Sequence, residues 1–204
     1  IPLIIILRLT GEGEIFFLQE RIGKGGKKFK LIKFATMLKN SPYIGTGTLT
    51  VKNDNRILPF GSFLRKSKIN ELPQLLNIFW GNMSLIGPRP LTNQAFTAYT
   101  PKIQDEIKKV RPGLSGVGSI IFRGEENIMQ GSSASVEFYT SVIAPYKGKL
   151  EKWFISNKGI ELYLKAIFLT VWIVLFPKST LVWKIFKNLP QPPKELVEPL
   201  NYIH

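Results

Sequence analysis

The residues best suited to chemistry lie in one stretch, RKSKINELPQLLNIFWGNMSLIGPRP at 65–90, where the Asn70–Glu71 pair stands between Arg65 and a proline-braced Arg89. An amide and a carboxylate set between two guanidinium groups suit a phosphorylated ligand, because guanidinium forks pair with phosphate oxygens. Pro73 is tolerated in the first turn of a helix, so the pattern predicts a helix starting just before it, with Asn70 or Glu71 near the cap. Leu72, Leu75, Leu76 and Phe79 then recur at helical spacing as one apolar stripe, expected to be buried, and Gly81 suits the position just past the end. The unpaired amides of such a helix start favour phosphate oxygens. The plainer account of the same residues is a core helix with an ordinary Asn cap and a solvated Glu.

Two prolines fix the backbone on either side of Arg89 in Gly87-Pro88-Arg89-Pro90, which limits the entropy lost when the guanidinium grips a ligand. Arg111-Pro112-Gly113 repeats the idea in a turn. Together with Asn70 and Glu71, these arginines suggest a phosphate or pyrophosphate clamp, against the simpler account of charges kept for solubility. The chain has no cysteine, which excludes thiol catalysis and cysteine zinc sites. Its one histidine is His204, the last residue, which nearly rules out a histidine base. Any chemistry therefore rests on carboxylates, lysines, arginines or hydroxyls.

The elements that must position these groups belong to a chain of 204 residues, enough for one substantial domain. Lys and Arg number 28 against 14 Asp and Glu, a net charge of +14, so the partner is expected to be anionic. Residues of hydrophobic type make up 44% of the chain, with four Trp and fourteen Phe, and no nucleic-acid module is present; basic plus apolar favours an anionic bilayer surface over nucleic acid.

Along the chain, residues 1–9 are apolar except for Pro2 and Arg8, too short to span a bilayer. They read either as the end of a bent, re-entrant membrane helix broken at Pro2 or as a terminal piece packed on the core. With Ile in place of an initial Met, the chain reads as having lost its natural start. Ile15–Ile22 and Phe29–Phe34, joined by Gly23-Lys24-Gly25-Gly26, predict a β-hairpin decorated by Lys24, Lys27, Lys28, Lys30 and Lys33, either a solvated face or one turned to acidic lipid. Residues 39–57, with Gly45 and Gly47, read as a surface loop, Phe60–Lys66 as a short helix, 91–110 as one helix, and 111–135 as a Gly- and Ser-rich loop. The segments 136–146 and 150–154 are amphipathic. Ala166–Phe176, with Trp183, Phe186, Lys184 and Lys187 beyond it, suits a buried or interfacial helix. Four prolines from 189 onward predict an extended or mobile tail.

These segments in this order resemble the bacterial sugar transferases, the small monotopic phosphoglycosyl transferases. The likeness rests on FFLQERIGKGGKKFKLIKFATM at 16–37, the 65–90 stretch, VRPGLSG at 110–116 and FYTSVIAPYKGKLEKW at 138–153, and it covers most of residues 12–170. The resemblance implies a helix-rich α+β fold with re-entrant or interfacial membrane helices, a small β-hairpin and amphipathic surface helices. Its expected divisions are a membrane-helix remnant at 1–11, a catalytic domain at 12–155, interfacial helices at 156–188 and a Pro-rich tail at 189–204. It implies transfer of a sugar-1-phosphate from a UDP-sugar to undecaprenyl phosphate, with magnesium, at the cytoplasmic face of the bacterial inner membrane, as the first membrane step of capsule, exopolysaccharide, O-antigen or glycoprotein synthesis. A homo-oligomer is left open.

By the same resemblance, the catalytic pair of the family falls on Asn70 and Glu71, which would also hold the metal, and Arg65, Arg89, Arg111 and Lys33 fall on its basic, phosphate-gripping positions. Pro2 falls on the proline that breaks the membrane helix. Two positions depart from the pattern. Asn70 stands where the family has an Asp that attacks the sugar-linked phosphate, and an amide is a far weaker nucleophile and a weaker magnesium ligand than a carboxylate. Ala35 stands where a basic residue is usual. Glu71 as a substitute would displace the attacking oxygen by about 1.5 Å, and a misplacement near 1 Å costs on the order of 10²-fold. The alternative is a catalytically silent relative that binds or scaffolds at the membrane.

Overall fold

Alternation of side chains along a pleated strand explains the first element that shapes the site. The computed structural model describes residues 2–45, 50, 53–129 and 135–203. Strands β1 (Phe16–Ile22) and β2 (Lys28–Phe34) form the predicted antiparallel hairpin, in the register Phe16↔Phe34 to Ile22↔Lys28. Gly25 and Gly26 make the turn at φ of 70° and 75°, where a side chain would be strained. Period two sends Lys28 and Lys30 outward, while Leu31 and Lys33 face in, and Phe17, Gln19 and Arg21 of β1 share the inward side. That inward face is the floor of the cavity described below.

A short parallel pair, β3 (Ser84–Ile86) with β4 (Gly113–Ser115), holds the arginine loop. Gly87 N–H donates to the Ser115 carbonyl at 2.9 Å, and Gly113 N–H to the Pro88 carbonyl at 2.8 Å. The approach is so close that a Cβ on Gly87 would sit 2.6 Å from the Arg111 carbonyl oxygen. The Gly-Pro-Arg-Pro and Arg-Pro-Gly motifs are thus two halves of one backbone clasp.

Helices α1 (Pro2–Thr10) and α2 (Pro59–Lys66) precede a 3₁₀ turn at Ile69–Glu71 and then α3 (Gln74–Phe79). The single helix predicted from Asn70 is therefore two pieces, because Pro73 serves as the N-cap of α3 and Asn70 caps nothing. Its apolar stripe is the reverse of what was expected. Leu72, Leu75, Leu76 and Phe79 are exposed, at 52% for Leu72 and 84% for Phe79, while Gln74 and Asn77 are buried. The physical cause is Asn77, whose Oδ1 accepts from Ile32 N–H at 3.0 Å and whose Nδ2 donates to the Lys30 carbonyl at 2.9 Å, which pins the polar face of α3 to β2. Gly81 ends α3 at φ 76°, as its position predicts.

The helix predicted over 91–110 is broken into α4 (Asn93–Thr97) and α5 (Pro101–Lys108), since Pro101 cannot continue α4 and is suited to the start of α5. The predicted Gly- and Ser-rich loop is largely structured as β4, α6 (Val117–Ile121) and α7 (Glu125–Ile128). A helical run follows as α8 (Val136–Phe138), a π turn at Tyr139–Ile143 and α9 (Ala144–Ser156). Then come α10 (Ile160–Leu175), α11 (Leu181–Ile185) and α12 (Lys194–Val197). One core takes in Val117, Ile120, Ile143, Leu150, Ala166, Leu169 and Leu196. The tail predicted as extended or mobile packs down through α12 instead.

Helix α10 buries Leu162, Ala166, Leu169 and Ile173, yet leaves Leu164, Phe168, Val171 and Leu175 exposed. Among the described residues no helix is long and apolar enough to cross a membrane. Pro2 opens α1; Ile1 lies outside the described residues, and with it any helix break at that proline. Gly47 of the predicted loop, residues 130–134 and His204 also lie outside them.

Candidate active site

Glu71 ends the 3₁₀ turn whose preceding residue, Lys68, adopts the left-handed conformation at φ 62°. This tight reversal lowers Asn70, Glu71 and Lys68 onto the hairpin floor. A cavity of about 530 Å³ opens there, lined by Lys33 and Arg21 from the hairpin, Arg65 from α2, Lys68, Asn70 and Glu71 from the turn, and Arg89 from the clasp. Its deeper wall carries Glu125, Tyr139, Lys147 and Glu151. Of the predicted site residues, the structure thus gathers Lys33, Arg65, Asn70, Glu71 and Arg89. Arg111 does not line this wall: it is exposed, with its guanidinium near Gly81, and a diphosphate grip by that side chain has no support in the geometry.

Lys33 Nζ lies 3.4 Å from Glu71 Oε1, both side chains being under one-fifth exposed. Burial opposes the Glu71 charge, but Lys33, Arg89 and Lys68 outweigh it and hold the carboxyl at about 2. Burial pulls Lys33 down to about 8 against the field of Glu71. Arg21 donates to the Pro90 carbonyl at 2.9 Å and so props the loop that carries Arg89. Arg65 donates to Thr50 Oγ1 at 3.0 Å. Burial works against the Arg89 charge, and Glu71, Glu125, Tyr139 and Glu151 more than restore it.

On the deeper wall, Lys147 Nζ donates to Glu125 Oε1 at 2.6 Å and lies 4.9 Å from the Phe122 ring centre. Burial raises the Glu125 carboxyl, but Lys147 and Arg89 bring it below the usual range. Glu151 is different. It is 3% exposed, and burial pushes its carboxyl up to about 7 despite the Arg89 backbone amide and the Lys147 charge.

That shift sets a pH dependence of stability. A carboxyl that holds its proton more tightly folded than unfolded contributes no loss below about pH 4.5. It then destabilises progressively as pH rises towards 7, by about 3 kcal/mol in all. Glu151→Gln is expected to escape this loss. Its melting temperature should gain roughly 5–10 °C on wild type between pH 5 and pH 8, and a difference that stays constant across that range would refute the assignment.

Sequence reasoning passed over Arg21, Lys68, Glu125, Lys147 and Glu151. A signal for two of them existed: Lys147 and Glu151 sit four apart on α9, on the same side as the buried Ala144, Gly148 and Ile155. Charges set in a buried stripe mark a site. Arg21 was also traceable, by period two from Phe17 and Gln19.

Asn70 is 5% exposed, its Oδ1 is buried without a hydrogen-bond partner, and it lines the same cavity as Glu71. Magnesium commonly takes one or two protein oxygens and completes its shell with water and substrate phosphates. These two oxygens fit that demand, although no cluster of three acidic or metal-binding side chains occurs among the described residues.

The chain is similar in sequence to known sugar transferases. The UDP-glucose:undecaprenyl-phosphate glucose-1-phosphate transferase of Xanthomonas campestris pv. campestris is 40% identical over 122 residues, covering 58% of this chain and 25% of that protein. The UDP-N-acetylgalactosamine-undecaprenyl-phosphate N-acetylgalactosaminephosphotransferase of Aeromonas hydrophila is 36% identical over 119 residues, 57% of this chain and 28% of its own. The uncharacterized sugar transferase EpsL of Bacillus subtilis (strain 168) is 34% identical over 172 residues, 84% of this chain and 75% of its own. The chain therefore spans only about a quarter of the first two relatives. The family model described as bacterial sugar transferase matches residues 1–177, which include every residue of the cavity wall, and the chain belongs to that family.

Proposed function

We propose that this chain transfers a sugar-1-phosphate from a UDP-sugar to undecaprenyl phosphate, with release of UMP, at the cytoplasmic surface of a bacterial inner membrane. The observation that carries this reading is one cavity in which Lys33, Arg65, Lys68 and Arg89 surround Glu71, with Leu72 continuing its wall into the exposed apolar stripe of α3. Four cations suit a diphosphate and a lipid phosphate brought together. The apolar rim suits a polyprenyl tail and the lipid around it, because a patch of exposed Leu, Phe and Trp on a basic chain favours an anionic bilayer.

In this reading Arg89 and Lys68 neutralise the phosphate that changes hands, and Lys33 and Arg65 hold the neighbouring one. Asn70 and Glu71 would hold magnesium, which supplies charge neutralisation to the diphosphate when bound. The relatives act on glucose and N-acetylgalactosamine donors, so both belong in the test. The full-length protein with phosphatidylglycerol vesicles, magnesium and undecaprenyl phosphate is expected to release UMP from UDP-glucose, UDP-N-acetylgalactosamine or another UDP-sugar. The activity should sediment with the vesicles and stop with EDTA. No UMP from any donor would favour the silent, binding-only reading that the amide at position 70 motivates.

A further inference from the structure

The cavity holds three carboxylates, and their surroundings give them different roles. Glu71 is engaged by Lys33 and lines the cavity together with Asn70, whose oxygen is unpaired, a pair of donors that suits a metal. Glu151 is the deepest, 3% exposed, with Oε2 buried and unpartnered. Glu125 differs from both. Its side chain is 28% exposed, it opens α7 at the cavity wall, and its Oε1 accepts from Lys147 Nζ at 2.6 Å. Arg89 and Lys68 line the same cavity as Glu71 and Glu125, and their charges favour the ionised form of both carboxyls.

We propose that Glu125, held by Lys147, is the nucleophile of this chain, supplying from α7 the carboxylate that position 70 lacks. The inference rests on the phosphotransfer reading above. A Glu125 oxygen forms a bond to the sugar-linked phosphorus. The bond from that phosphorus to the bridging oxygen breaks, and the bridging oxygen leaves with UMP and the electron pair. A phosphate oxygen of undecaprenyl phosphate then bonds to the same phosphorus, and the acyl–phosphate bond breaks to restore the carboxylate. Attack costs Glu125 its charge, which leaves Lys147 free to pair with the phosphate oxygens of the adduct. Lys147 and Arg89 outweigh burial and keep Glu125 ionised, so the attacking form is the resting form.

The test uses the full-length protein and whichever UDP-sugar yields UMP. Acid quench without acceptor, followed by peptide mass mapping, is expected to find a sugar-phosphate adduct on Glu125, and hydroxylamine should convert that residue to its hydroxamate. Glu125→Gln should lower UMP release by about 10⁴-fold and abolish the adduct. Adding Asn70→Asp to Glu125→Gln should restore an adduct, now on residue 70. An adduct on Glu71 in the wild type, or UMP release by Glu125→Gln within about 10-fold of normal, would overturn this proposal and leave the phosphotransfer reading standing. Absence of UMP release by the wild type would remove both. Mapping in the wild type does not depend on any variant folding.

Discussion

Arg89→Lys is expected to slow UMP release by about 10²–10³-fold while moving the melting temperature by no more than about 3 °C. The change keeps a positive charge opposite Glu71, Glu125 and Glu151, so none of the buried carboxylates loses its counter-charge. What it removes is a planar fork held at a fixed angle by the clasp of Gly87, Pro88 and Gly113. A lysine ammonium is a flexible point charge that cannot grip two phosphate oxygens at once. If the lysine variant turned over within threefold of wild type, Arg89 would serve the fold by charge alone and the clamp would have to be sought among Arg65, Lys68 and Lys33. Measuring UMP release and thermal unfolding on the same preparation separates the two outcomes.

The second large effect falls on stability. Gly113→Ala should cost more than about 4 kcal/mol, seen as a melting temperature lower by roughly 10 °C or as loss of a cooperative transition. A Cβ at this position overlaps the Gly87 amide nitrogen and the Ser115 carbonyl oxygen, both backbone atoms of the β3–β4 clasp. Neither can step aside without breaking the hydrogen bonds at 2.8 and 2.9 Å that carry the Arg89 loop. Gly159→Ala is the control: a Cβ there meets nothing within 4 Å, and a shift under about 3 °C is expected. A Gly113→Ala protein as stable as this control would show that the clasp is loose.

The same contact recasts one of the motifs. Arg-Pro-Gly reads in sequence as a third guanidinium for the phosphate, whereas in three dimensions its indispensable member is the glycine. Residue type suggested the chemistry of the arginine; only the approach of two backbones reveals the glycine, and that approach joins residues 26 apart (87 and 113).

Period two made the hairpin legible, because its inward and outward faces meet different surroundings. Period 3.6 likewise announced α3, but periodicity identifies only a face and not what that face meets. The assumption that apolar means inward failed where Asn77 found two strand groups to satisfy and turned the leucines out. Lys33, Arg65, Asn70, Glu71 and Arg89 were legible because they cluster in two motifs around phosphate-like chemistry. Glu125 was not, and Lys147 and Glu151 were marked only by their spacing within the buried stripe of α9, since the meeting of all three with that cluster depends on how α7 and α9 pack.

Asn77 has one more effect, on the edge of the hairpin. A two-stranded sheet ordinarily has two unpaired margins, each a template on which another chain can add a strand. Here the Asn77 amide occupies the β2 margin at Lys30 and Ile32, and on the β1 margin the Leu91 carbonyl receives the Ile22 amide at 3.0 Å. Once α3 has docked, these contacts leave the hairpin fewer free margin groups on which another chain could add a strand.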